Sequence, residues 1–121
     1  MHELPILRNV LEVALEFADK NQAVRITKVN LAIGDMREFV EGISQKYWDY
    51  ISAGTLGEGA VVSITRIPAK YLCLACGEIQ EFDWRNTEEL RCSTCSSADV
   101  ELTSGREIII SNIEIREGEI T

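Results

Sequence analysis

The sequence predicts an α+β fold in which two helices lie on one face of a three-stranded sheet, with a small module inserted in one hairpin of that sheet. Three features predict it: segments with helical apolar spacing, short segments of alternating or β-branched apolar residues, and four cysteines that lie together in sequence. At 121 residues, 45% of them apolar, the chain can bury one modest core with a small appended module. We expect an α+β domain of residues 1–68 plus 105–121 and a second domain of residues 69–104.

A first helix is predicted from Leu4 to Lys20, where apolar residues recur at helical spacing and charged residues form the opposite face. Pro5 fits the first turn, because the N–H that proline lacks has no intrahelical partner there. The predicted buried stripe consists of Leu7, Leu11, Ala14 and Ala18, flanked by Ile6, Val10, Val13 and Phe17.

A strand and a second helix follow. Residues alternate in polarity from Arg25 to Ile33, with Val29, Leu31 and Ile33 on one side, which predicts a half-buried strand that ends at Gly34. A second helix is predicted from Val40 to Ala53, with Gly54 as its C-terminal stop. Its predicted inward residues are Val40, Ile43, Tyr47, Tyr50 and Ile51.

Two further strands are predicted at Val61–Ile67 and Glu107–Ile115. Between them lies the inserted module, whose two ends are marked by Pro68 and Gly105. Helices followed by strands in this order are typical of a small α+β sandwich.

The four cysteines form two Cys-x2-Cys pairs, a spacing that suits a closed tetrahedral thiolate site for zinc. Four protein ligands leave no open position for water or substrate, so we interpret the module as a structural zinc ribbon rather than a redox dithiol or an iron site. Gly77 after the first pair can take a positive φ freely, whereas Ser96 has to do so after the second. The ligands are Cys73, Cys76, Cys92 and Cys95.

Charge argues against nucleic acid as a partner. The formal net charge is −8, and affinity for nucleic acid rests largely on basic residues that neutralise phosphates. Within residues 69–104, three basic residues face seven acidic ones, so we expect Phe82 and Trp84 to pack against the cysteine pairs rather than to stack on bases. No apolar run approaches a membrane span and no leader pattern begins the chain. We therefore expect a cytoplasmic protein, whose paired cysteines bind metal more readily than they form disulfides.

The start of the chain offers a second set of ligands. The terminal amine of Met1, the backbone nitrogen of His2 and the His2 imidazole can converge on one ion through fused chelate rings, and a planar set of nitrogens suits Ni(II) or Cu(II). A fourth ligand has to come from elsewhere, with Glu3, Glu38 and Glu41 as candidates. Taken alone, His2 is more often a solvated residue, and Glu3 also suits a helix N-terminus.

Several short motifs are distributed along the chain: Met1-His2-Glu3-Leu4, Ile33-Gly34-Asp35, Gly54-Thr55, Glu58-Gly59-Ala60, the two cysteine pairs and Ser104-Gly105-Arg106-Glu107. With these motifs the sequence resembles the HypA/HybF family of hydrogenase nickel incorporation proteins over essentially its whole length. Unlike some relatives, this chain has no histidine near the cysteine pairs, which excludes an imidazole shared between two metal sites.

The resemblance implies a nickel metallochaperone for maturation of [NiFe]-hydrogenase, and not an enzyme. It implies that His2 anchors nickel with the Met1 amine, that Glu3 supports or ligates, and that the four cysteines hold structural zinc. The domain of residues 1–68 plus 105–121 would then bind nickel and that of residues 69–104 zinc. It also implies a partner nickel-insertion GTPase and the hydrogenase large-subunit precursor as partners, with urease served by some members.

Two other classes of function compete with this interpretation. A zinc-ribbon adaptor would dock its acidic surface on a basic protein, with His2 incidental. A thiol oxidoreductase would use the cysteine pairs for exchange chemistry, which requires free thiols in the native state.

Overall fold

The computed structural model describes residues 3–118, apart from the side chain of Glu41. Within these described residues there are two helices and two three-stranded sheets, with strand orders β2-β1-β6 and β4-β3-β5. The elements are α1 (Glu3–Lys20), β1 (Ala23–Gly34), α2 (Glu41–Ser52), β2 (Val61–Ile67), β3 (Lys70–Cys73), β4 (Ile79–Glu81), β5 (Val100–Ser104) and β6 (Ile108–Glu117). The predicted α+β class, with two helices, a three-stranded sheet and an inserted cysteine module, is confirmed.

The chain forms two compact units. The first contains Met1–Ala32, Glu38–Thr65 and Ile109–Thr121, and the second contains Ile33–Arg37 and Arg66–Ile108. Neither helix in the described part of the chain is long and apolar enough to cross a membrane.

Helix α1 confirms the predicted helix and all four residues of its buried stripe. Leu7, Val10, Leu11, Ala14 and Ala18 are buried. Val13 and Phe17, which were expected to flank this stripe, remain substantially exposed. At 100° per residue both lie toward the margin of the stripe, where a side chain is only half covered.

Helix α2 is one residue shorter at each end than predicted. Its inward face was predicted correctly only in part, because Tyr47 and Ile51 are half-buried and the other three residues are not. Val40, Ile43 and Tyr50 are exposed, and Tyr50 keeps 76% of its surface. The fully buried residues are Ser44, Trp48 and Ser52, which recur every fourth position. Apolarity alone did not reveal this face, because its two serines are polar and small enough to leave room for the indole between them.

Hydrogen bonds from α2 satisfy the polar groups of two of its side chains, Trp48 and Gln45. The indole N–H donates to the carbonyl of Gly57 at 3.0 Å, which satisfies the ring's only polar group. One turn earlier, the Gln45 carboxamide donates to the Ala60 carbonyl at 3.0 Å and accepts the Val62 N–H at 2.8 Å. Gly54 adopts φ +79° just after the helix, which confirms its predicted role as the stop.

The first sheet contains the three strands predicted from sequence. Strand β2 has the predicted bounds, and β1 and β6 differ from the prediction by one or two residues at their ends. On β1, the expected inward residues Val29, Leu31 and Ile33 are all buried.

The second sheet was not predicted. Strand β3 pairs antiparallel with both β4 and β5, so that Leu72 lies opposite Ile79 on one side and Glu101 on the other. Its strands have three to five residues, too few for an alternating pattern to be recognised. One face of this sheet carries Tyr71 and Cys73, which form a buried cluster with Cys92.

A close backbone approach joins Ile33–Arg37 to the rest of the second unit. A Cβ on Gly34 would lie 2.2 Å from the carbonyl carbon of Gly105, a distance that no side chain allows. The Gly34 N–H donates to the Glu107 carbonyl at 2.7 Å, and the Met36 N–H donates to the Gly105 carbonyl at 2.8 Å. Glycine at position 34 is therefore a steric requirement of the unit that holds the cysteines.

Candidate metal centre

The four cysteines of the sequence meet at one point in the second unit. Their four Sγ atoms all lie within 4.8 Å of one another. Two contacts run between the pairs, at 3.5 Å from Cys73 Sγ to Cys95 Sγ and 3.6 Å from Cys76 Sγ to Cys92 Sγ. The structure thus brings together every thiol that the sequence singled out.

The sulfur–sulfur distances fit a metal better than a disulfide. A disulfide requires about 2.0 Å between sulfurs, whereas four thiolates at about 2.3 Å from a tetrahedral zinc lie about 3.8 Å apart. The contacts of 3.5 and 3.6 Å are close to the second value. Four thiol donors in one cluster suit a soft, tetrahedral ion.

Both cysteine pairs, which we call the first knuckle (Cys73–Cys76) and the second knuckle (Cys92–Cys95), have the same backbone bonding. In the first, the Cys73 N–H donates to the Glu78 carbonyl at 2.8 Å and the Gly77 N–H donates to the Cys73 carbonyl at 2.8 Å. Gly77 has φ +80°, as its position predicted.

The second knuckle repeats this arrangement. The Cys92 N–H donates to the Ser97 carbonyl at 2.9 Å, and the Ser96 N–H donates to the Cys92 carbonyl at 2.8 Å. Ser96 takes φ +63°, which confirms that a non-glycine residue fills this left-handed position.

Each knuckle supplies one buried and one exposed thiol. Cys73 and Cys92, the first cysteine of each pair, are buried, whereas Cys76 and Cys95 are exposed. A small apolar cluster surrounds the buried thiols and consists of Tyr71, Phe82, Leu90 and Val100.

Of the two aromatic residues expected to pack here, one does so. Phe82 lies 5.9 Å from the Tyr71 ring in a tilted arrangement, within the cluster around Cys73 and Cys92. The prediction for Trp84 was wrong, because its ring is not part of that cluster and stacks with the Arg85 guanidinium at 5.0 Å.

The thiols differ in how readily they ionise. The backbone amide of Cys95, together with that of Thr94, lowers the pKa of the Cys92 thiol to about 6. The Glu78 amide lowers the pKa of Cys76, but desolvation and the neighbouring thiols outweigh it and raise that pKa to about 12. Four sulfurs this close cannot all be anionic unless a cation offsets their charge, so a divalent metal would release the remaining protons.

The predicted nickel ligands lie at the start of the chain, and Met1 and His2 fall outside the described residues. Glu3 opens α1 with only 7% of its surface exposed, and its Oε1 accepts the backbone N–H of Val40 at 3.2 Å. This bond brings the residue just before α2 next to the first turn of α1. Glu38, two residues earlier, is exposed.

Comparison with protein families gives a match over nearly the whole chain. A family model described as "Hydrogenase/urease nickel incorporation, metallochaperone, hypA" matches residues 1–115. The hydrogenase maturation factor HypA of Dehalococcoides mccartyi is 31% identical over 115 residues, which cover 95% of this chain and 94% of that protein. The HypA of Roseiflexus sp. is 32% identical over 114 residues, covering 94% of this chain and 91% of that protein.

Two solved structures share the fold. The solution structure of the Ni metallochaperone HypA from Helicobacter pylori superposes with a TM-score of 0.66 at 22% identity, covering 98% of this chain and 100% of that one. A further HypA solution structure gives a TM-score of 0.71 at 22% identity, covering 95% and 96% of the two chains.

Proposed function

Because the chain belongs to the HypA family of nickel metallochaperones for hydrogenase maturation, we propose that it binds Ni(II) at its N-terminus and delivers it to the maturing enzyme. In this proposal a separate zinc ion occupies the four-cysteine site and has a structural role. The domain of residues 1–68 plus 105–121 handles the nickel, and residues 69–104 hold the zinc. The protein carries metal in the cytoplasm and catalyses no reaction.

One observation supports this division of metals most strongly. All four cysteines of the sequence converge on a single centre, so no thiol is left over for a second ion. Nickel must then bind through nitrogen and oxygen. The Met1 amine, the His2 backbone nitrogen and the His2 imidazole offer a chelate of that kind, which suits Ni(II).

The zinc site would be held by Cys73, Cys76, Cys92 and Cys95. Bound zinc would supply charge compensation and a cross-link between the two knuckles, which in small domains adds directly to the folding free energy. A complete set of four protein ligands leaves no position for exchange chemistry, so the ion stays in place while nickel comes and goes.

Glu3 supports nickel binding chiefly by fixing the first turn of α1, rather than by binding the ion itself. Its carboxylate is nearly buried and one oxygen accepts the Val40 N–H, which fastens the first turn of α1 to the residues before α2. His2 is the adjacent residue in the sequence, so a change at Glu3 acts next to the proposed nickel anchor. Glu38 and Glu41 stay candidates for a further ligand because they flank Val40 in sequence.

Release of nickel follows from competition with protons. An amine and an imidazole bind metal only when deprotonated, so nickel affinity should fall steeply below neutral pH. A partner nickel-insertion GTPase and the hydrogenase large-subunit precursor are the proposed recipients, and a competing site on either can draw the ion away.

Titration calorimetry with nickel on zinc-loaded, tag-free protein tests the proposal. We expect binding in the wild type, and its loss both in His2→Ala and in a chain with residues added before Met1. The zinc content should be the same in all three samples. Unchanged nickel binding in His2→Ala would contradict the N-terminal site, and a wild type that binds zinc alone would favour the adaptor function.

The role of Glu3 is tested by a matched pair of variants. Glu3→Gln keeps an oxygen that accepts the Val40 N–H but removes the negative charge, whereas Glu3→Ala removes both. If Glu3 acts by position, nickel affinity is retained in Glu3→Gln and weakened in Glu3→Ala. Equal loss in both variants would instead identify the carboxylate as a ligand.

A further inference from the structure

Side chains of neighbouring strands hold the second knuckle in place. Ser93 and Thr94 lie between its two cysteines, and the Ser93 N–H donates to the Tyr71 hydroxyl at 3.0 Å. Tyr71 is only 2% exposed, so its hydroxyl has a fixed position. The bonded N–H belongs to the residue directly after Cys92, and the hydrogen bond therefore fixes the backbone next to a metal ligand.

Gln80 extends this contact to the second residue between the cysteines. Its carboxamide oxygen accepts hydrogen bonds from the Tyr71 hydroxyl at 3.4 Å and from the Ser93 hydroxyl. Its nitrogen donates to Thr94 Oγ1 at 3.1 Å. Tyr71 and Gln80 are direct partners in the β3–β4 register, so one cross-strand pair contacts both residues of the loop.

The first knuckle is held differently. The corresponding residues are Leu74 and Ala75, whose side chains cannot form hydrogen bonds, and Leu74 is 54% exposed. Its support comes from the backbone, since Cys73 belongs to β3 and the Leu74 N–H donates to the Asp99 carbonyl at 2.9 Å. Gln80 also donates to the Glu78 carboxylate at 3.3 Å, but the bonds of Tyr71 and Gln80 to residues that lie between two cysteines are all made to the second knuckle.

We propose that Tyr71 and Gln80 are positioning residues that hold the second knuckle in its metal-binding geometry and thereby slow the loss of zinc. This inference rests on the proposed zinc site. Residues that orient metal ligands from outside the coordination sphere typically change metal affinity by about 10–100-fold when removed. Neither residue provides a metal ligand, so their effect has to pass through Ser93 and Thr94, the two residues between the cysteines of the second knuckle.

Zinc release from the full chain to an excess of a coloured chelator tests this role. Tyr71→Phe removes the hydroxyl while keeping a ring that can pack on Phe82, and Gln80→Leu removes the carboxamide at similar size. We expect each to release zinc about tenfold faster than the wild type. Because both act on the same loop, the double variant should be little faster than either single one.

Two variants serve as matched controls. Leu74→Ala truncates the corresponding loop of the first knuckle, where the side chain makes no hydrogen bond. Tyr50→Phe removes the hydroxyl of an exposed tyrosine of the first unit. Both should release zinc at the wild-type rate.

Two further measurements separate positioning from a general loss of stability. In Tyr71→Phe the urea midpoint of the zinc-loaded chain should fall by no more than its weaker zinc affinity accounts for, while the visible spectrum of the Co(II)-substituted protein shifts. Wild-type release rates in both Tyr71→Phe and Gln80→Leu would overturn the inference. Faster release that only parallels lower stability, with an unchanged cobalt spectrum, would overturn it too.

Two outcomes need their own interpretation: a variant that does not fold, and a wild type that binds no zinc. If Tyr71→Phe does not fold, the zinc release rate and cobalt spectrum of Gln80→Leu test the inference instead. Gln80 is partly exposed, so its replacement should disturb folding less. A wild type that holds no zinc contradicts the zinc proposal itself, and this role with it. One zinc per wild-type chain with unaltered release in the variants contradicts only the role of Tyr71 and Gln80.

Discussion

The two knuckles have the same backbone but are held by different means. Each bonds its first cysteine to a carbonyl five residues on and turns through a residue of positive φ. The first knuckle continues strand β3 and is fixed by backbone hydrogen bonds. The second lies outside any strand and is fixed by Tyr71 and Gln80. Backbone hydrogen bonds in one knuckle and a side-chain network in the other can therefore hold two thiolates in the same arrangement.

This difference has a physical consequence for mutation. Backbone ladder bonds survive most changes of side chain, because the donors and acceptors belong to the main chain. A side-chain network loses its bonds when one member is replaced, and the remaining polar groups are left unsatisfied. We therefore expect the second knuckle to be more sensitive to replacement of the residues that surround it.

Removing one thiol should have the largest effect on zinc binding, and the effect should be the same for either knuckle. Cys73→Ser and Cys92→Ser each take one buried ligand from a closed four-ligand site. Structural zinc contributes on the order of 10 kcal/mol to the folding of small domains, so both variants should lose zinc and native-state protection in the second unit. Metal analysis and hydrogen exchange measure this, and full zinc retention in either variant would contradict the shared site.

Gly34→Ala tests the close backbone approach between Gly34 and Gly105 in the unit that contains both knuckles. The new Cβ would lie 2.2 Å from the Gly105 carbonyl carbon and 2.4 Å from the Arg106 nitrogen, which are backbone atoms that cannot rotate away. We expect a loss of at least about 4 kcal/mol, at the extreme of single substitutions, in chemical unfolding. Gly42→Ala is the control, since an added Cβ meets nothing within 4 Å there. Similar stability of the two variants would show that the close approach at Gly34 is not required.

Substitutions at the two positions of positive φ, Gly77 and Ser96, should change the stability in opposite directions. Gly77→Ala adds no contact within 4 Å but places a Cβ at φ +80°, which costs about 1–2 kcal/mol. Ser96→Gly relieves the same strain at φ +63°, and we expect it to be neutral or to stabilise by less than about 1 kcal/mol. Urea midpoints of the two zinc-loaded variants measure this. Destabilisation of equal size in both would mean that the Ser96 side chain has a role of its own.

The smallest expected effect is a difference in pH response between metal-free thiols. The amides of Cys95 and Thr94 lower the pKa of Cys92 from 9.0 to about 6, so its contribution to stability is full above pH 9 and is lost as the pH falls to about 6. Cys76, raised to about 12, contributes below pH 9 and loses its contribution as the pH rises toward 12. Ultraviolet titration should show one thiolate that forms near pH 6 and is absent in Cys92→Ser. If it persists in that variant, the ionising thiol is another cysteine.

Periodicity and spacing predicted much of the molecule. Helix α1, helix α2, the three strands of the first sheet and the positive φ of Ser96 all follow from local patterns. The fully buried residues of α2 did not, because two small serines beside Trp48 carry no apolar signal. The second sheet was missed since its strands are too short to show alternation.

For the site, the sequence singled out the thiols but not the residues that orient them. Tyr71 stands two residues before Cys73, so strand alternation alone places both on one face of β3. Gln80 offered no such signal, because its contact with Thr94 depends on the pairing of β3 with β4. The bond between Glu3 and Val40 likewise joins residues far apart in sequence.

X-ray absorption at the zinc and nickel edges of one tag-free sample carrying both metals shows which atoms bind each ion. We expect four sulfur neighbours for zinc, at about 2.3 Å, and only nitrogen and oxygen neighbours for nickel. Sulfur in the nickel sphere would contradict this expectation, because it would show that the cysteines are shared between the two ions.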